Sequence, residues 1–259
     1  MKRAKRLVAM LLVVALLAVT PAAAMAAEYV PTKGTSYWKN GTKWEKGTEY
    51  TWSYKGDGKI TKRTWKDPDG TSSTSSYKWK GNFLSKITWS SGQYSTYKYK
   101  NSRLQSFTSV YGGGKRTTKL KWDKKKKKAT YKSGDFTITL TFNSKGQLVK
   151  ETDKSAAETY TYKYKYYSNG NVKKISGGSN KGYQFTTNYN KKGYLSSETG
   201  KDGIYSWSYK YSYKTKNGKI TERISKSNGV ESSKTVYTKW KKVSRVRNCD
   251  GMGRTTPLG

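Results

Sequence analysis

The sequence predicts an all-β protein of tandem antiparallel hairpins, about eight units and about sixteen short strands forming one elongated or curled sheet. No core helix is expected in it. Three observations carry this prediction. Thr159 to Tyr167 alternates aromatic and polar residues, which on a strand of period two puts Tyr160, Tyr162, Tyr164 and Tyr166 on one face and Thr161, Lys163 and Lys165 on the other. Asn169-Gly170 follows directly, and this pair tolerates the positive φ of a tight hairpin turn. A branched apolar anchor then recurs after each turn, at Ile60, Leu84, Leu104, Leu148, Val172, Leu195, Ile220 and Val243. Its intervals are 24, 20, 44, 24, 23, 25 and 23 residues, a period typical of stacked units that stabilise one another through their neighbours.

Taken in chain order, residues 1–26 read as a signal peptide. Lys2, Arg3, Lys5 and Arg6 precede the apolar run Leu7 to Val19, and Ala24-Met25-Ala26 is a small-x-small cleavage site. The apolar run is too short for a stable membrane span and no later segment is apolar enough for one, so the expectation is a secreted, extracellular protein, in free or wall-associated form. Residues 27–44 form an N-terminal cap segment with Tyr37, Trp38 and Trp44. Residues 45–244 are the repeat domain. There, incoming strands such as Tyr50 to Tyr54, Phe136 to Phe142 and Tyr205 to Tyr213 end in turns such as Gly56-Asp57-Gly58, Gly81-Asn82 and Asn217-Gly218. The outgoing strand carries the anchor and often a second apolar residue three later: Leu84 and Ile87, Leu104 and Phe107, Val172 and Ile175. That spacing places the two on opposite faces of an ideal strand, so a β-bulge or burial on both faces is expected. The 44-residue interval holds one degenerate unit, whose anchor should fall within Lys124 to Lys128 after Trp122-Asp123. From Arg245 the repeat is lost, and residues 245–259, with the lone Cys249, read as a disordered tail.

Leu, Ile, Val and Phe make up about an eighth of the chain after residue 26. With a formal charge of +37, such a composition alone would favour disorder. The 23 Tyr and nine Trp, set in alternation with Thr, Ser and Lys, override that expectation. The leader contains four of the 53 basic and none of the 16 acidic residues, so its removal leaves +33. Attraction to polyanions follows at low salt, including non-specific nucleic acid, and fades where exposed charges are screened beyond about 8 Å. The cations are mostly lysine, a hydrated point charge without the planar fork that reads base edges, which argues against sequence-specific nucleic-acid recognition.

The units resemble the YD repeats of the RHS family. The matching residues are Tyr189-Asn190-Lys191-Lys192-Gly193-Tyr194-Leu195 and Phe142-Asn143-Ser144-Lys145-Gly146-Gln147-Leu148, against a pattern of roughly Tyr-Asp-x-x-Gly-x-Leu. Asn or Lys replaces the signature Asp here, and the arginine that often precedes the Leu appears only as Arg103. The resemblance implies a curved, strand-rich antiparallel sheet on a bacterial or related surface protein, with carbohydrate or glycosaminoglycan binding and wall-associated roles. Tyr37-Trp38-Lys39-Asn40-Gly41 and Lys43-Trp44-Glu45-Lys46-Gly47 are similar to choline- or wall-binding repeats.

Histidine is absent, which removes Ser-His-acid and Cys-His catalysis and most zinc and copper sites. Asp57, Asp67, Asp69, Asp135 and Asp202 fall at expected turns, and Glu151, Asp153, Glu158, Glu198 and Glu222 stand singly among lysines, where charge balance accounts for them. No catalytic residue, metal site or cofactor is therefore expected. The glycine runs hold no nucleotide signature.

The aromatic face has two readings, a buried core or a platform on which sugars stack beside lysines. On the second reading the ligand-binding candidates are Tyr160, Tyr162, Tyr164, Tyr166, Lys163, Lys165, Trp207, Tyr209, Tyr211 and Tyr213. The run Lys124, Lys125, Lys126, Lys127 and Lys128 joins them as a polyanion site or, more plainly, a solvated turn. The expected function is non-catalytic binding of an anionic polysaccharide or cell-wall polymer. The alternative is a structural or self-assembling repeat protein of the envelope.

Overall fold

The computed structural model describes residues 28–125 and 127–244. The expected signal peptide, Lys126 and the 245–259 tail with Cys249 lie outside the described residues. The described chain contains strands and turns and no helix. The strands run β1 (Glu28–Asn40), β2 (Lys43–Tyr54), β3 (Ile60–Lys66), β4 (Ser72–Lys80), β5 (Phe83–Trp89) and β6 (Tyr94–Lys100). They continue as β7 (Arg103–Tyr111), β8 (Gly114–Lys119), β9 (Lys121–Trp122), β10 (Lys128–Ser133), β11 (Phe136–Phe142), β12 (Leu148–Lys154) and β13 (Thr159–Tyr166). The last are β14 (Val172–Ser179), β15 (Gln184–Tyr189), β16 (Leu195–Asp202), β17 (Tyr205–Lys216), β18 (Lys219–Ser227) and β19 (Val230–Val243).

All 19 strands belong to one antiparallel sheet in which each hairpin pairs with the next. The sheet curls until its ends meet, because β1 pairs with β2 on one edge and β19 on the other. Opposite this seam, β8 and β9 are one strand interrupted at Leu120. β8 pairs with β7, β9 pairs with β10 through Lys121 and Trp122, and the Leu120 N–H still donates to the Gln105 carbonyl at 2.8 Å. The strand count exceeds sixteen for two reasons. The segment before residue 45 supplies the seam strand β1, and the degenerate unit keeps its hairpin, β10–β11.

Two rims result. At the first, which we call the anchor rim, all eight anchors are buried. After seven of them the next residue is an extra one in the ladder: Trp79 pairs with Leu84 while Lys78 pairs with Lys86, which leaves Ser85 as the bulge. The same step skips Thr61, Gln105, Val149, Lys173, Ser196 and Thr221. The bulge turns the second apolar residue to the anchor's side, so Leu84 with Ile87 and Leu104 with Phe107 enter one core cluster. The degenerate unit has a short anchor, Ala129, fully buried one residue beyond the lysine run. Trp122, paired with Ala129 across the ladder, packs against that cluster 5.2 Å from its member Phe142.

A bulge frees backbone groups that must find partners. Five anchor carbonyls accept from an aromatic side chain one hairpin further on: Trp79 to Ile60 (2.7 Å), Trp122 to Leu104 (2.9 Å), Tyr166 to Leu148 (2.6 Å), Tyr213 to Leu195 (2.6 Å) and Trp240 to Ile220 (2.7 Å). These bonds stitch each hairpin to its successor. Seven loops share one turn, closed by paired backbone bonds and ending on a glycine with φ between 77° and 97°. In the two YD-like segments, Asn143 and Asn190 cap such turns: the Asn190 Oδ1 accepts from the N–H of Lys192 and Tyr194, each at 3.0 Å.

Candidate functional site

The sector β13–β17 carries most of the candidate residues, and register decides which way each one faces. On the inner side one row crosses five strands, Tyr162–Gly177–Phe185–Gly200–Trp207. Large rings alternate with glycines, and each ring lies over the neighbouring glycine. A Cβ on Gly200 would stand 2.1 Å from the Trp207 ring, and one on Gly177 2.8 Å from Tyr162 and 2.9 Å from Phe185. The rings cover the glycine backbone from water, a known device for keeping glycine in a sheet.

The outer side of the same sector holds two rows of small polar residues and lysine: Lys163–Ser176–Thr186–Thr199 and Thr161–Gly178–Gln184–Lys201–Ser206. Short side chains there leave a shallow trough of about 650 Å³, with Lys163 and Lys201 in its lining. Lys165 is also exposed on this face.

The tyrosines share one face, as the alternation predicts; that face is the inner one, and most of their rings serve the fold. Tyr160 and Tyr164 are buried; their hydroxyls donate to Glu158 Oε2 at 2.6 Å and Glu151 Oε2 at 3.2 Å. Neither ring offers an open stacking face. Tyr166 and Tyr213 tie anchor carbonyls, and Tyr211 donates to Glu198 Oε2 at 2.6 Å. Tyr162, Trp207 and Tyr209 are half-buried. Lys124, Lys125, Lys127 and Lys128 are exposed on a turn capped by Asp123, whose Oδ1 accepts from the N–H of Lys127 (2.8 Å) and Lys128 (3.0 Å). Lys126 lies outside the described residues.

One expectation needs correction. Glu151 and Asp153 are not charge-balancing residues among lysines. Both point inward from β12, where Glu151 lies opposite Leu140 and Tyr162, and Asp153 opposite Ile138 and Tyr160. Both are buried, and neither has an ion pair among the described residues. Desolvation, reinforced by Asp153, raises the Glu151 carboxyl well above its usual range, and desolvation pushes Asp153 up to about 6. Burial thus favours the protonated form of both carboxyls, which share a hydrogen bond with each other. Residue spacing shows that two acids at i and i+2 share a face; that the face is the inner one follows only from the closure of the sheet. Asp202 ends β16 and, paired with Tyr205, flanks the turn Gly203-Ile204, at the turn position expected.

Asp153 opens onto a cleft of about 550 Å³ at the second rim, lined also by Phe136, Tyr160, Tyr162, Glu158 and Lys181. Its Oδ1 is buried without a hydrogen-bond partner. Of its lining, the sequence analysis named Tyr160 and Tyr162 as candidates but neither Asp153 nor Glu158.

No family model matches the chain, and no curated protein matches it. Solved structures resembling it include a porin-like protein from Bacteroides uniformis, 14% identical with a TM-score of 0.48, covering 84% of this chain and 97% of that one. A porin-like protein from Bacteroides vulgatus is 11% identical with a TM-score of 0.40, covering 82% and 98%. A structure of TcdB2-TccC3-Cdc42 is 12% identical with a TM-score of 0.36, over 72% of this chain and 12% of that one. Likenesses this slight say nothing of activity, and the fold described above rests on strand register alone.

Proposed function

We propose that the chain is a secreted, non-catalytic protein that binds anionic glycopolymers, such as wall polymers or glycosaminoglycans, on its outer lysine face. The observation that carries this reading is the outer trough of β13–β17, where Lys163 and Lys201 stand among Ser, Thr and Gln with no acidic residue in its lining. Hydroxyl and amide groups suit sugar hydroxyls, and lysines suit sulfate or phosphate. Repetition of weak contacts along a polymer adds avidity. The outward lysines also support a water-facing sheet, since a lipid-facing barrel needs an apolar outer band. Retention on immobilised heparin or teichoic acid at low salt, weakened at least threefold in K163E/K201E, is the expected result. Absence of retention at low salt, or equal retention by the variant, overturns the reading. Equal displacement by duplex DNA would reduce it to charge attraction alone.

A second reading, assembly through protein contacts, draws on the exposed large apolar residues. Trp38, Ile204, Tyr205 and Val230 all lie at the second rim on the neighbouring strands β16 to β1, and Ile204 is 93% exposed. Concentration-dependent polymers in light scattering, abolished by I204S/V230S, would favour it.

A further inference from the structure

The cleft at the second rim belongs to neither surface invoked so far. It concentrates acid on a chain that is otherwise strongly basic. Asp153, Glu158 and Asp135 line it against one lysine, Lys181, while Phe136 and Tyr162 supply ring faces and Ile138 an apolar floor. Glu158 already accepts from the Tyr160 hydroxyl. Asp153 differs: it is only 9% exposed, and although its carboxyl is hydrogen-bonded to Glu151, its Oδ1 is buried with no donor. A buried carboxylate oxygen without a donor costs free energy that a bound N–H or O–H would recover. Water or a ligand group is the natural occupant of such a position.

We propose that this cleft binds a primary ammonium group, its N–H donating to Asp153 Oδ1 and its alkyl stem lying against Phe136 and Tyr162. Three features select a cation over a neutral donor. Carboxylates outnumber cations in the lining; the aromatic faces attract positive charge; and desolvation favours the neutral form of the neighbouring acid, Glu151, which is hydrogen-bonded to Asp153. A primary ammonium is preferred to a quaternary one, because only the former has the N–H that Oδ1 lacks.

The test is titration of the full chain with n-butylammonium chloride at pH 7.5, followed by amide chemical shifts. Saturable shifts confined to residues 133–138 and 153–162 are expected. Tetramethylammonium and 1-butanol should bind at least tenfold more weakly, and D153N should weaken n-butylammonium at least tenfold. Equal binding of 1-butanol would assign the cleft to neutral hydroxyls, and equal binding by a folded D153N, or shifts spread over the outer face, would overturn the proposal. Should D153N not fold, the wild-type chain at pH 5 serves instead. Asp135, Glu151, Glu158, Lys181, Tyr131, Tyr160 and Tyr164 surround the site, and desolvation pushes Asp153 itself up to about 6, so its carboxylate is depleted at pH 5. Binding should weaken at least fivefold, and unchanged binding would refute the role of its carboxylate. Heparin retention through the outer face is unaffected by D153N, so the two proposals fail separately.

Discussion

The two rims of the sheet are built from the same hairpins and share the same glycine-ended turn, yet they pack differently. At the anchor rim a branched aliphatic residue follows every turn but the one before Ala129, a bulge adds Ile87, Phe107 or Ile175 to the same face in three strands, and even the turn residues Gln147, Asn171 and Tyr194 are buried. At the second rim the strands open mostly on Ser, Thr, Tyr, Gln or Gly, with Phe136 and Val230 as the apolar exceptions. Rings there cover glycines without filling the space between strands, and the cleft, the buried acids facing it and the exposed apolar residues all lie on that side. Tight packing at one end thus stabilises a fold whose other end is left open. Proteins commonly carry binding groups on the less packed parts of a rigid scaffold.

The largest test of this contrast is truncation. Leu104→Ala should cost about 2–5 kcal/mol in urea unfolding, whereas Ile204→Ala at the second rim should stay within about 0.5 kcal/mol. Similar losses at both positions would erase the distinction. Gly200→Ala comes next. The new methyl would meet the Trp207 ring at 2.1 Å, so a loss of about 1–3 kcal/mol is expected, and Gly200→Ala with Trp207→Ala should recover part of it. No recovery would mean that the glycine is required by something other than the ring.

A pH test separates the acid pair from the remaining carboxylates. Asp153 rises from an ordinary 3.8 to about 6 on folding, so the folded state holds more protons than the unfolded one between those values. Its contribution is fully favourable below about 4 and is lost as pH rises through about 6. The difference between the stability curves of wild type and D153N should therefore slope across that window and be flat above it. A slope of opposite sign would show that Asp153 is paired with a cation. The smallest effect concerns the stitches between hairpins. Trp122→Phe removes the donor to the Leu104 carbonyl and should cost about 0.5–1.5 kcal/mol, measured against the already short anchor Ala129.

Much of this architecture was legible in the sequence. Period-two alternation, Asn-Gly turns and the spacing of anchors act between residues a few positions apart, so hairpins, bulges and the shared face of Tyr160 to Tyr166 could be read from local pattern. The anchor of the degenerate unit was missed by one residue because an alanine gives no hydrophobic signal. Glu151 and Asp153 were misread because lysines surround them in sequence but none faces them across the sheet.

Sequence by itself determined the hairpin unit, its period and the separation of rings from ammonium groups, all consequences of strand geometry and turn chemistry. Tertiary structure decided that β1 meets β19, and with that which face became the interior. Pairing Glu28 with Val243 depends on the accumulated twist and stagger of every strand between them. Only that closure turns two ordinary acids into a buried pair at the edge of a cleft.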